Sequence, residues 1–267
     1  MNEMFESANG LAILFVALRI GAMLAVAPMF GSTWVALRYR AAIAGLLTLL
    51  VMPSIGTIDA ALPSRSFVES IAGELAIGLL LGLGIRILLF SISIAGDMIS
   101  QLTGWSLGQN PAAGQDDGNS ALGKLFYWTL LGTFVAFGGP NQIVIALLNS
   151  FRDVAPGAAV FSFQDTGQVV FYLQQSFELA IRVAAPAVIA LVIATLVMAL
   201  VNRTSPTVDS FQVGFALKSL FALALATIVV TQGPNLVNNY FEPTVNHFSE
   251  SISGMVEQRA EVFDGRQ

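Results

Sequence analysis

No cysteine occurs among the 267 residues, so disulfides, thiolate metal sites and cysteine nucleophiles are excluded. The single histidine, His247, leaves no pair for a zinc site and one imidazole at most for a nucleophilic triad. Charge is scarce: 11% of residues are Asp, Glu, Lys or Arg, against roughly 25% in a soluble globular chain. That is too little to coat a surface facing water. The net charge of -5 offers no basic footprint for nucleic acid. What is plentiful is apolar: 55% of residues are hydrophobic and the mean hydropathy is +0.73. A soluble enzyme, a nucleic-acid binder and a disordered chain are thereby set aside, and an all-α, multi-helix integral membrane protein is expected.

Apolar segments run over about Leu11 to Gly31, Ala36 to Ile58, Glu69 to Gly96, Leu122 to Ser150, Leu179 to Val201 and Phe211 to Thr231. At about 1.5 Å per residue each spans or nearly spans a bilayer, giving about six apolar helices. Gly138-Gly139-Pro140-Asn141 should break the fourth into two shorter pieces. Pro28, Pro53 and Pro186 mark kinks or helix ends, because proline lacks the backbone donor and clashes one turn back. Ala25-Val26-Ala27 has the small-x-small form of a signal-peptide cleavage site. Glu3 and Glu6 stand where basic residues belong, Arg19 interrupts the run and Pro28 follows the cut, so a retained helix is expected. Lys and Arg are spread almost evenly and give only a weak vote for an outside N terminus.

Ionisable groups inside apolar runs must face protein or a wet path, since hydrocarbon penalises them by several kcal/mol. Arg19, Glu74, Arg86, Asp97, Arg182, Arg203 and Lys218 are the candidates here. Arg86 and Asp97 fall within about 20° of one helical face. Glu178 and Arg182 have the spacing of an intrahelical ion pair. Gly73, Gly78 and Gly82 lie on the same helix as Glu74, and Gly78 and Gly82 form a small-xxx-small step that lets another backbone approach closely.

Two catalytic look-alikes fail. Gly118 to Leu125 misses the phosphate-binding loop only at Leu125, where Ser or Thr must hold magnesium, and no strand precedes it. Gly104-Trp105-Ser106-Leu107-Gly108 fits the nucleophile-elbow pattern, but a catalytic Ser106 needs a base and only His247, read as an exposed polar position, exists. No catalytic, metal or cofactor residue is expected.

The run Leu18-Arg19-Ile20-Gly21-Ala22-Met23-Leu24-Ala25-Val26-Ala27-Pro28-Met29-Phe30-Gly31, with Arg38, Arg40 and a helix ending Met52-Pro53, resembles the start of the FliR family of type III secretion export-gate proteins. The resemblance continues through Gly73-Glu74-Leu75-Ala76-Ile77-Gly78 and Gly82, then Ala95-Gly96-Asp97-Met98-Ile99-Ser100-Gln101. It returns at Val201-Asn202-Arg203-Thr204-Ser205-Pro206 and at Val213-Gly214-Phe215-Ala216-Leu217-Lys218. Each motif alone is nonspecific; their ordered combination is specific. Departures occur at Ala36-Leu37, where many members carry proline, at Ala216, at Asn110-Pro111 in place of an acidic-proline pair, and in the extra run Gly114 to Gly118.

The resemblance implies a non-enzymatic gate subunit of the bacterial inner membrane and flagellar basal body, with helical hairpins in a helical assembly. FliP-like and FliQ-like subunits would complete a channel for unfolded substrates, with FlhB-like and FlhA-like proteins alongside. It further implies that the loop from Gly104 to Ser120, with Gly108, Asn110, Pro111, Gly114, Asp116 and Asp117, faces or closes that channel; an ordinary exposed connection is the alternative. Glu74, Arg86 and Asp97 are expected as intersubunit or intrachain charge contacts, or as anchors at the lipid interface.

Two regions are expected: a helical membrane domain over 1–240 and an amphipathic, acidic tail over 241–267. In the tail Phe241, Val245, Phe248, Ile252, Met255 and Val262 form a stripe, with Glu250, Glu257 and Glu261 off it. It reads either as a helix packed on a partner or on its own core, or as a frayed end. A polytopic small-solute transporter or channel is the other function class compatible with intramembrane charge, but the Glu74 and Arg86 helix has no clear counterpart in the second half.

Overall fold

A computed structural model describes residues 2–30, 36–55, 67–105, 120–159, 166–204, 210–241 and 243–248. Every regular element among them is helical. In chain order these are α1 (Asn2–Val26), α2 (Leu37–Ile55), α3 (Phe67–Thr103), α4 (Ala121–Ala136), α5 (Gly139–Asp153), α6 (Thr166–Thr204) and α7 (Ser210–Leu236). A π turn, Val237–Phe241, and a short helix over 243–248 follow α7. The fourth apolar segment divides as its Gly-Gly-Pro-Asn composition predicts: Gly138 takes a φ of +78° and Pro140 sits in the first turn of α5. There its missing N–H leaves no helical bond unmade. α1 stops just before Pro28, whereas α2, α6 and α7 accommodate Pro53, Pro186 and Pro234 within their length.

Helix lengths depart most from the sequence reading. α3 has 37 residues and α6 has 39, which at about 1.5 Å per residue makes each longer than the roughly 30 Å hydrocarbon core. Gly96 and Asp97, which look like a terminus, lie inside α3. There a Cβ on Gly96 would stand 2.7 Å from the Gly123 Cα, so the glycine marks a close crossing of α3 and α4 rather than an end. Among the described residues, three helices are long and apolar enough to cross a membrane, Phe67–Thr103, Gly167–Thr204 and Val213–Phe248, and α4 with α5 makes a fourth if taken as one broken span.

The chain forms two compact units. The first comprises Met1–Ile87, Gly138–Tyr172 and Phe241–Gln267, and the second Leu88–Phe137 and Leu173–Tyr240. In the first, α1 packs against α2 and against the N-terminal half of α3. Gly78 and Gly82 make the α1–α3 contact: a Cβ on Gly78 would meet the Arg19 carbonyl oxygen and lie 2.9 Å from Ala22 Cβ, and one on Gly82 would lie 2.8 Å from the Met23 oxygen. Val16, Ile20, Ile85 and Phe151 fill the core around it. His247 is half-buried and stacks on Phe171 at 3.7 Å, in place of the exposed position expected of it. In the second unit, α4 lies against α7, where Gly233 meets Thr133, and the α6–α7 hairpin closes with Gly214 against Met198.

Apolar burial is incomplete. Only 22% of the most apolar stretch of α6 and 17% of that of α7 is buried within the chain, and Ile189, Leu196, Leu200 and Leu220 are each at least 60% exposed. Such continuous apolar surface needs lipid or other protein to cover it.

Replacing Gly78 by valine should destabilise the purified protein by about 1–3 kcal/mol, the usual cost of overpacking against backbone. Gly45→Ala should leave the thermal midpoint in detergent unchanged, since nothing lies within 4 Å of an added Cβ there. Equal midpoints for the two variants would contradict the α1–α3 contact.

Candidate functional site

Arg19 and Glu74, both expected among the charges in apolar helices, meet in the first unit with side chains fully buried. The same α3 face does both jobs. Gly78 admits the α1 backbone at Arg19, and Glu74, one turn earlier, aims its carboxylate at the Arg19 guanidinium. Arg19 Nε donates to Glu74 Oε2 at 2.7 Å and Nη2 donates to Oε1 at 3.1 Å, the paired geometry that suits a planar guanidinium.

The remaining donors reach the end of α5. Nη1 donates to the Ser150 carbonyl at 2.7 Å and to Ser150 Oγ at 3.1 Å, and Nη2 to the Val154 carbonyl at 3.2 Å. The Phe151 ring lies under the guanidinium at 4.4 Å. Arg19 is therefore a cation at the negative end of the α5 dipole, holding carbonyls of its last turn and cap. Glu74 Oε1 accepts one more bond, from the Gly157 N–H at 2.8 Å. Gly157 has a φ of +84° and faces the Phe15 ring, so a side chain there would be strained and crowded.

A second charge does the converse in the second unit. Asp97 accepts from the Ser120 N–H at 2.6 Å, and Ser120 Oγ accepts from the Gly123 N–H at 3.0 Å as the N-cap of α4. An anion and a hydroxyl thus satisfy the start of α4, at the positive end of its dipole. At the end of α3, Gly104 takes a φ of +84° and Trp105 Nε1 donates to Ser219 Oγ of α7 at 2.8 Å.

The other predicted positions are distributed more widely. Arg86 is exposed on α3 and, among the described residues, makes no hydrogen bond or ion pair. Arg182 pairs with Glu178 at 3.0 Å, both side chains exposed. Arg203 is exposed in the last turn of α6, Lys218 is half-buried on α7, and Gly73 is buried beside Glu74. Of the expected channel loop, Gly104, Trp105 and Ser120 are described; Gly108, Asn110, Pro111, Gly114, Asp116 and Asp117 lie outside the described residues, as do Ser106 and the tail from 249 onward. Among the described residues no group of three or more metal-ligating side chains occurs. Ser150, Gly157, Trp105, Ser120 and Ser219 were not singled out as partners from sequence. Their bonds join residues 23 to 131 positions apart, and no local pattern announces them.

Arg19→Leu or Glu74→Leu alone should cost about 3–5 kcal/mol, because each leaves its partner charged and buried. The double replacement should cost clearly less than the sum in a thermal unfolding cycle. Additive losses would show that the two charges are not coupled.

The sequence matches the profile of the bacterial export proteins, family 1, over residues 11–244. It is 27% identical to the flagellar biosynthetic protein FliR of Aquifex aeolicus, over 87% of this chain and 90% of that protein. It is 26% identical to the FliR of Caulobacter vibrioides, over 79% and 84%. The secretion system apparatus protein SsaT of Salmonella typhimurium is 27% identical over 62% of this chain and 64% of its own length. With the profile running from the middle of α1 through α7 and enclosing Arg19, Glu74, Asp97 and Ser219, the chain belongs to family 1 of the bacterial export proteins.

Proposed function

We propose that this chain is the FliR-type subunit of a type III protein export gate in the bacterial inner membrane. It assembles with FliP-like and FliQ-like subunits around a channel for unfolded flagellar substrates, with FlhB-like and FlhA-like proteins alongside. Its part is architectural and not enzymatic.

One observation carries this reading beyond family membership. The charges that would destabilise the first unit are neutralised inside the chain at Arg19 and Glu74, while the long apolar helices α6 and α7 are left with uncovered faces. A subunit leaves them for lipid and for other chains. The exposed Arg86 and Arg203 fit contacts completed outside the chain, because a cation on an apolar helix needs a carboxylate or a wet surface nearby.

In this reading the segment from Gly104 to Ser120 faces the channel. Its composition supports the role, since Asn110, Asp116 and Asp117 are expensive beside lipid and natural beside water. Deletion of Gly114 to Gly118 should raise ion leakage or lower secretion; unchanged leakage together with unchanged secretion would exclude a channel-facing role.

Co-expression with the organism's FliP-like and FliQ-like proteins, purification through a tag on this chain and native mass spectrometry should yield a complex containing all three. A monodisperse chain that binds neither partner would overturn the reading.

A further inference from the structure

The exposed face of α2 has a charged end and an apolar length. Arg38 and Tyr39 lie in the first turn, and Ala42, Gly45, Leu46, Leu49 and Leu50 follow on the same side at helical spacing. The three leucines are 67, 68 and 69% exposed. Gly78 on α3 admits α1, but nothing lies within 4 Å of a Cβ added to Gly45, which leaves a dip in the open face. The other side of α2 packs inward. Thr48 and Val51 are buried, and Thr48, the one polar residue between Arg40 and Pro53, donates its hydroxyl to the Ala44 carbonyl at 2.7 Å.

The charge at the start of α2 calls for an anion. Its first turn holds no acid, and the amide end of a helix favours negative charge. Arg38 nevertheless stands there exposed, over the Tyr39 ring at 5.0 Å, and among the described residues it makes no hydrogen bond or ion pair. Arg40 turns to the opposite side, half-buried and with a contact of its own. A planar guanidinium is suited to gripping a phosphate through paired oxygens.

The apolar length is that of one leaflet. Ala41 to Met52 is twelve residues, about 18 Å of helix, against about 15 Å for half of a roughly 30 Å hydrocarbon core. α2 is not among the helices long and apolar enough to cross both leaflets. With a phosphate at Arg38, an acyl chain lies beside the leucines, and the exposed Tyr39 ring falls at the headgroup depth that aromatic rings favour. A free anion would leave the leucines uncovered, and an apolar helix would leave the guanidinium unmet.

We propose that this face of α2 seats an anionic phospholipid, its phosphate held by Arg38 and its acyl chain lying along Leu46 and Leu49. The proposal goes beyond the export-gate reading and does not depend on it: a chain that bound neither FliP-like nor FliQ-like subunits would still carry the seat.

The test titrates the full chain, freed of lipid in detergent, with dioleoyl phosphatidylglycerol or dioleoyl phosphatidylcholine, and counts bound lipid by native mass spectrometry. The parent should prefer phosphatidylglycerol. Arg38→Gln should lower that affinity about fivefold, the worth of one cation beside an anionic surface, and leave phosphatidylcholine binding unchanged. Arg38→Lys should keep most of the preference. Arg152→Gln, which removes an exposed cation at the end of α5, should stay near the parent. Leu46→Ser combined with Leu49→Ser should weaken both lipids alike. Equal affinity of the parent for the two lipids, or a loss in Arg38→Gln no larger than in Arg152→Gln, would overturn the proposal. Displacement of phosphatidylglycerol by millimolar inorganic phosphate would also overturn it, by showing a site for a free anion. Both arginines are exposed, so their variants should keep the parent's thermal midpoint; should the leucine pair fail to accumulate, the arginine variants decide alone.

Discussion

The Arg19 guanidinium carries five N–H donors, and the first unit supplies an acceptor for each: two from Glu74, two from Ser150 and one from Val154. A buried arginine short of partners would be expensive enough to unfold its surroundings. Satisfying it forces α1, the first half of α3, the end of α5 and the turn at Gly157 into one place. Lysine has one compact ammonium and cannot serve a carboxylate, a hydroxyl and two carbonyls in these directions. The neighbouring details follow from that demand: Gly78 lets α3 come close enough, Phe151 covers the cation's face, and Gly157 turns left-handed to present its N–H to the same carboxylate.

Asp97 serves the second unit in a related way. Arg19 sits at the carbonyl end of α5 and Asp97 at the amide end of α4, so each half of the broken fourth segment has one terminus met by a charge of the sign its dipole favours. These are the termini that a membrane-buried helix pair cannot leave unsatisfied. The charges kept inside the apolar helices are therefore fold determinants first. Arg86 and Arg203 are among the cations left exposed.

Much of this was legible in the sequence and some was not, for identifiable reasons. The helical class, the break at Gly138 and the small-residue step at Gly78 and Gly82 follow from composition and spacing, which are local. Glu74 and Arg19 announce themselves as charges in apolar runs, but that they choose each other across 55 positions is a tertiary fact. Gly96-Asp97 reads as a helix end because Gly and Asp usually are; here α3 runs on to Thr103, since the glycine is used for contact with α4 and the aspartate caps it. α6 begins at Thr166, well before its first long apolar run. The family resemblance was visible in ordered short motifs, and Glu74-x-x-x-Gly78 now has a physical meaning: a carboxylate and a gap on one face, both directed at one arginine.

Site-resolved hydrogen exchange at the Gly157 amide tests the central claim most directly. That N–H lies in a turn, where an amide open to water exchanges fast, and its acceptor is Glu74 Oε1. The account predicts protection comparable to the α1 core around Ile20 in the native chain, and its loss in Glu74→Leu. A Gly157 amide that exchanges at the rate of a free turn in the native protein would contradict the claim that the Arg19–Glu74 pair organises the first unit.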